Sequence, residues 1–267
     1  MATREEMKKM LGMNEQTGGA IYKLDKVTMS GDDGQFKLTD LTTEREKGAK
    51  PRIEALGATV EGVILKMRWA LSRWDEPSAT FYSSTEYDDK WKDTVTVYPT
   101  KDKGSVETMK EKYKLSTQRI IYFYLTEQKR IVRLVVKASA LSGKDKNPNG
   151  ELGLFEYLNE FAEEESLPCE FITICTGVAR AGTNADGSPN KRKDHVAMSF
   201  SKGKALTEQQ FAKIQDYMID VNEKTHAVTD DTRSTAEEGE TADDVGEPLD
   251  NVLDEPKDAI NPDDIPF

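Results

Sequence analysis

The sequence predicts a mainly β fold with interspersed helices, and three observations carry that prediction. Apolar and polar residues alternate at period two through 57–74, 120–125 and 130–138, the pattern of strands with one face in a core. Turn signals such as Gly31-Asp32-Asp33-Gly34 punctuate short apolar runs. Helical stripes are few and fall between strands without regular βαβ alternation.

Taken in order, residues 3–11 set Met7, Met10 and Leu11 on one side of a short helix. Ile21, Leu24, Val27 and Met29 precede the Gly31–Gly34 turn and a short strand follows over 35–41, so the two segments are expected to pair as a hairpin. Over 57–74, Val63, Leu65, Met67, Trp69 and Leu71 fall on one strand face. Ile64, Lys66, Arg68, Ala70, Ser72 and Trp74 fall on the other. A strand of this length calls for a bulge or strong curvature, which Gly57 and Gly62 could supply. Short strands are expected over 80–86 and 94–98, with Val95 and Val97 opposing Thr94, Thr96 and Tyr98 in the second. A helix over 104–115 carries Val106, Met109 and Tyr113 along one stripe.

The clearest hairpin lies within 118–140. Ile121, Phe123 and Leu125 oppose Tyr122 and Tyr124 on its first arm, and Val132, Leu134 and Val136 oppose Arg133 and Lys137 on its second. Leu154, Phe155, Leu158 and Phe161 mark a helix over 152–165, broken by Pro168. Two strands, 170–178 and 195–201, flank a Gly- and Asn-rich connection ending in Lys191-Arg192-Lys193. Thr207 opens a final helix with Phe211, Ile214, Tyr217, Met218 and Val221 inward. Short curved strands, a helix between strands and long hairpin loops suit an OB-fold-like barrel with elaborations; a different α+β sheet is the alternative.

The 267 residues suffice for one sizeable domain and a tail, or for two small domains. The net charge of −12 argues against a nucleic-acid binder until its distribution is read. From Asp230 onward there are 14 Asp or Glu against Arg233 and Lys257, while the body holds 35 acidic and 35 basic residues. The body is therefore neutral, and the acidity belongs to a Pro-containing, low-complexity tail expected to be disordered. The expected organisation is an N-terminal extension (1–56), a body (57–224), an acidic linker (225–260) and a terminal tip (261–267). Two cysteines, Cys169 and Cys175, are too few for a zinc finger or a disulfide framework and read as reduced core thiols. No signal-peptide pattern and no membrane-spanning apolar run occurs.

The chain ends Asn261-Pro262-Asp263-Asp264-Ile265-Pro266-Phe267. A terminal aromatic acid behind a stiff Pro and an acidic collar makes a peptide ligand: the ring fills a pocket, its carboxylate meets a cation, and Pro266 reduces the entropy lost on docking. Asp263 to Phe267 resemble the tip of bacterial single-stranded DNA-binding proteins, which end in an acidic run followed by Ile-Pro-Phe or Leu-Pro-Phe. The resemblance implies recruitment of replication, recombination and repair proteins of a host or phage. Phe267 and Pro266 would anchor, and Asp263 and Asp264 would meet basic residues. It also implies an OB-fold DNA-binding domain, possible homo-oligomerisation and a bacterial cytosolic location, phage-encoded or not. The body departs from the family: it is roughly twice that domain's length and carries none of its recognisable sequence. A diverged body with a borrowed host-recruiting ligand fits this combination.

Single-stranded DNA binding needs cations for phosphates and aromatic faces for bases. The expected contacts are Lys66, Arg68 and Trp74 on one strand face, Tyr122, Tyr124, Arg133 and Lys137 on another, and a basic clamp of Lys191, Arg192, Lys193, Lys202 and Lys204. Trp91 is either a stacking residue or a lid over the core. No catalytic residue, metal ligand or cofactor is expected. Glu76, Glu86, Asp88, Asp89 and Asp93 lack nuclease spacing, His195 has no nucleophile motif beside it, and the Gly-Lys pair at 143–144 is not a P-loop. The alternatives are an annealing protein or nuclease of recombination that uses the tip for recruitment, and a tip-bearing adaptor or decoy that does not bind DNA. The linker spans about 30–36 Å as a coil, so its polyanion could compete with DNA for the basic face.

Overall fold

The computed structural model describes residues 24–41, 51–88, 94–142, 152–180 and 195–237, with side chains described as far as Thr225. Among these residues, eleven strands form one open mixed sheet, and three α-helices pack on it. The mainly β class with interspersed helices is thus observed, while none of the described pairings closes the sheet into a barrel.

The strands are β1 (Lys26–Met29), β2 (Phe36–Asp40), β3 (Arg52–Gly57), β4 (Thr59–Asp75), β5 (Thr80–Ser84), β6 (Thr94–Tyr98), β7 (Asp102–Ser105), β8 (Ser116–Leu125), β9 (Arg130–Val136), β10 (Phe171–Arg180) and β11 (His195–Ala205). The helices are α1 (Val106–Tyr113), α2 (Leu154–Glu163) and α3 (Glu208–Glu237). The main path runs β3-β2-β1-β9-β8-β4-β5-β6-β7, and the β10–β11 ribbon joins β4 from the side. The expected N-terminal hairpin forms, but it is part of this sheet: β1 lies parallel to β9, and Val27 and Phe36 are fully buried in the main core. Two short strands, β3 and β7, have too little alternation to stand out in the sequence.

Strand β4 is the spine. One edge pairs with β8 from Gly62 to Ser72; the other takes β10 over Thr59–Gly62 and β5 over Ser72–Asp75. The register slips between Ile64 and Lys66, so the bulge sits at Leu65 rather than at a glycine. The slip corrects the expected faces: Ile64, opposite Phe123, joins the side of Met67, and Val63, opposite Tyr124, joins the side of Lys66. Gly62 has a different use, since a Cβ there would run into the Tyr124 carbonyl and the Phe123 ring.

Both faces of the central sheet are covered. On one, α3 lays Ile214, Met218 and Val221 into the core, and Tyr217 stacks on Tyr124 with ring centroids 5.0 Å apart. On the other, Phe155 of α2 meets Trp69, and Tyr157 and Phe161 pack against Phe200 and Phe171 of the ribbon. Ser105 caps α1 by accepting from the Thr108 N–H. With β4–β7, α1 closes a second core of Leu71, Tyr87, Val95, Val97, Val106 and Met109. Helix α3 continues through Glu237, into the segment expected to be a disordered acidic linker; no Gly or Pro interrupts it before Gly239. The tail beyond lies outside the described residues, as do the expected helix at 3–11 and Trp91. Among the described residues, no helix is long and apolar enough to cross a membrane.

Candidate nucleic-acid interface

The basic and aromatic face expected to hold DNA is assembled as the alternation implied, and then covered. Lys66 lies opposite Tyr122, and Tyr122 opposite Arg133, so the three share one side of the sheet. Yet Lys66 is 3% exposed, Arg68 1%, Tyr122 0% and Arg133 9%. These four expected contacts are corrected to interior residues. Alternation reports which residues share a face; it cannot report that α3, over 140 positions downstream of Lys66, lies across it.

Segment 86–88 makes this burial possible. Trp69 and Tyr87 exchange backbone hydrogen bonds, Trp69 N–H to Tyr87 O at 2.7 Å and Tyr87 N–H to Trp69 O at 2.9 Å. That bridge sets Glu86 and Asp88 beside the cations of β4. Arg68 Nε donates to Asp88 Oδ1 at 3.1 Å. Arg133 is 2.5 Å from Glu86 Oε1, and the Tyr122 hydroxyl donates to Glu86 Oε2 at 2.8 Å. Two carboxylates of the expected acidic cluster are therefore engaged by buried guanidinium groups. Such pairs lose much solvation and hold only when both partners are present.

Lys66 has different partners. Its ammonium donates to Asn222 Oδ1 at 3.0 Å and to Thr225 Oγ1 at 2.8 Å, both on α3. Burial, with Arg68 alongside, lowers it to about 8 against the pull of Asp88 and Glu86. Burial also works against the charge of Arg68, but Asp88 and Glu86 outweigh it and hold the guanidinium more firmly protonated. Burial and then Glu86 push the Tyr122 phenol well above its ordinary value. Across β4, Arg119 lies 4.3 Å from the Trp69 ring centroid, and burial lowers it to about 10.

The other expected residues are dispersed. Tyr124 is half-buried under Tyr217, and Lys137 is half-buried just beyond β9. Lys202 pairs with Glu164 and lies 3.9 Å from the Phe171 ring centroid, so it is engaged rather than offered as a clamp. Lys204 is exposed. Lys191, Arg192 and Lys193, and the tip residues Asp263, Asp264, Ile265, Pro266 and Phe267, lie outside the described residues.

Trp74 is on a different part of the sheet. Near the β4–β5 turn it lies directly opposite Phe81. Ser83, two residues along, faces Tyr98 of β6, so Tyr98 shares that side and sits diagonal to Phe81. The three rings are half-buried, and none packs against either core. The register adds Thr94, Thr96, Lys103 and Ser105 from β6 and β7, and Ser72, Ser116 and Gln118 from β4 and β8. Ala70, opposite Gln118, shares this side, and the Trp69–Tyr87 bridge sets Glu86 across from Ala70 at its edge. Its reverse side is the core closed by α1. Phe81 and Tyr98 were not expected; period two in the runs over 80–84 and 94–98 held the signal, but only the pairing of β4, β5 and β6 adds the rings together.

Among the described residues, no group of three or more His, Cys, Asp or Glu is placed to hold a metal ion. No family model matches this chain, and neither a curated protein nor a solved structure matches it.

Proposed function

We propose that this chain is a non-catalytic single-stranded DNA-binding protein that coats DNA and recruits replication, recombination and repair proteins through its C-terminal tip. The observation that carries the reading is the terminal Asp263-Asp264-Ile265-Pro266-Phe267, with its resemblance to the bacterial family's ending. Such a tip needs a bacterial cytosolic setting, encoded by the host or by a phage. The geometry moves the expected DNA contacts away from Lys66, Arg68, Tyr122 and Arg133. Half-buried Trp74, exposed Lys204 and the basic segment 191–193, which lies outside the described residues, remain as candidates.

A second reading is favoured by that same burial: an adaptor or decoy that carries the tip and does not bind DNA. Titrating the full chain against labelled oligo-dT over a salt series separates the two. Binding that prefers single over double strands and weakens steeply with salt is expected of the first. No binding at low salt would leave the adaptor. Annealing of complementary strands, or metal-dependent cleavage, would move the chain to a recombination activity.

A further inference from the structure

We infer that the β3 edge of the sheet is a contact between two copies of this chain, which pair β3 with β3 antiparallel about Ile53. Strand β3 ends the main path of the sheet and is bonded on one side, to β2, with Arg52 opposite Asp40, Ile53 opposite Thr39 and Glu54 opposite Leu38. Arg52, Ile53, Glu54 and Ala55 are all exposed, so the strand stands open on both faces as well as along its edge. Ile53 is 49% exposed, while Leu56 packs on the main core and fixes the far end of the strand. Among the described residues, Arg52–Ala55 hold no backbone bond outside the β2 ladder, and neither Arg52 nor Glu54 has an ion-pair partner. A row of unpaired N–H and C=O groups is a template for another strand.

The side chains select a second copy and set its register. A two-fold contact is self-complementary, so its centre decides which residues meet. Centred on Ile53, Arg52 of each copy faces Glu54 of the other, and the two Ile53 side chains meet. Arg52 then lies between Asp40 of its own β2 and Glu54 across the junction. Centring on Arg52 or on Glu54 would set like charges opposite, and centring on Ala55 would set Glu54 opposite Leu56. An edge guarded against its own copy carries charge of one sign, which repels. An Arg and a Glu two residues apart on one strand face attract instead. Pro51, with no N–H to donate, faces Ala55 and bounds the ladder. So short a ladder makes a weak dimer, strengthened wherever copies are held close together. The inference goes beyond the proposed function and does not depend on it.

The test is sedimentation equilibrium of the full chain without DNA, at low salt and over a concentration series. The wild type is expected to pass from monomer to dimer and no further, because a two-fold contact closes. Glu54→Arg, or Arg52→Glu, turns both charge pairs into like pairs and is expected to weaken the dimer about tenfold or more. Arg52→Glu combined with Glu54→Arg restores unlike pairs and is expected to return the affinity to the wild-type range. Ile53→Cys is expected to form an interchain disulfide on mild oxidation, because the two positions face each other, whereas Ala55→Cys, facing Pro51, is not. The native Cys169 and Cys175 are buried and do not compete. All the substituted positions are exposed, so these variants disturb no core packing. A wild type that stays monomeric throughout, a dimer indifferent to the single charge reversals, or a double reversal that stays weak would overturn the inference. So would equal crosslinking of Ile53→Cys and Ala55→Cys. Each of these results is read without DNA and leaves the proposed function standing.

Discussion

Replacing Lys66 by Met tests whether a buried ammonium really ties α3 to the sheet. The group is 3% exposed, so its shift needs no discount for solvent. Its fall from 10.5 to about 8 corresponds to about 3 kcal/mol disfavouring the charged form in the folded chain. The sign follows from proton counting. Between these two values the unfolded chain holds a proton that the folded chain has released, so stability rises with pH across the window and is lost as pH falls toward 8. Integrated from pH 7 to pH 9, the gain is about 1.3 kcal/mol. The wild type alone does not display it, because burial pushes the Cys169 thiol up to about 12 and raises Cys175 as well. Those thiols keep protons that the unfolded chain sheds above about 9, which lowers stability over an overlapping range. The difference between wild type and Lys66→Met removes the thiol contribution. Urea unfolding of both proteins at pH 7, 8 and 9 is the assay, and the wild-type advantage should grow by about 1.3 kcal/mol over that span. A difference constant to within about 0.3 kcal/mol would show that Lys66 is not desolvated, and that α3 does not cover this face in solution.

Two further outcomes follow from packing. Gly62→Ala drives a methyl into the Tyr124 carbonyl and the Phe123 ring, so it should destabilise by about 3 kcal/mol in urea titration, at the upper end of overpacking costs. Gly57→Ala meets no atom within 4 Å and strains only a φ of +89°, so it should cost about 1 kcal/mol; equal losses at the two sites would refute the steric account. Cys169 and Cys175 are buried, with both thiols raised by desolvation, so a thiol reagent at pH 8 should label neither in the native protein and both in urea. Rapid native labelling would show that the ribbon-side core opens readily.

Local pattern was enough to specify most of the elements. The hairpin of β8 and β9, the long β4, the core-facing stripes of α1 and α2 and the break at Pro168 are written in short-range periodicity, because a strand or helix shows its buried side within a few residues. The need for a bulge in β4 was legible from its length, while its position at Leu65 was not, since the slip depends on pairing with β8. The terminal pentapeptide is likewise entirely local, and everything proposed about recruitment comes from it. Which faces are open is a different kind of information. Lys66, Arg68, Tyr122 and Arg133 read as a solvent-facing basic patch because their covers, Glu86, Asp88 and α3, come from distant segments with no alternation to announce them. Conversely, Trp74, Phe81 and Tyr98 become one surface only when three strands pair in register. Periodicity states which residues lie together on one side of an element, whereas burial is decided by what packs across that side, and only the assembled sheet and its helices determine that.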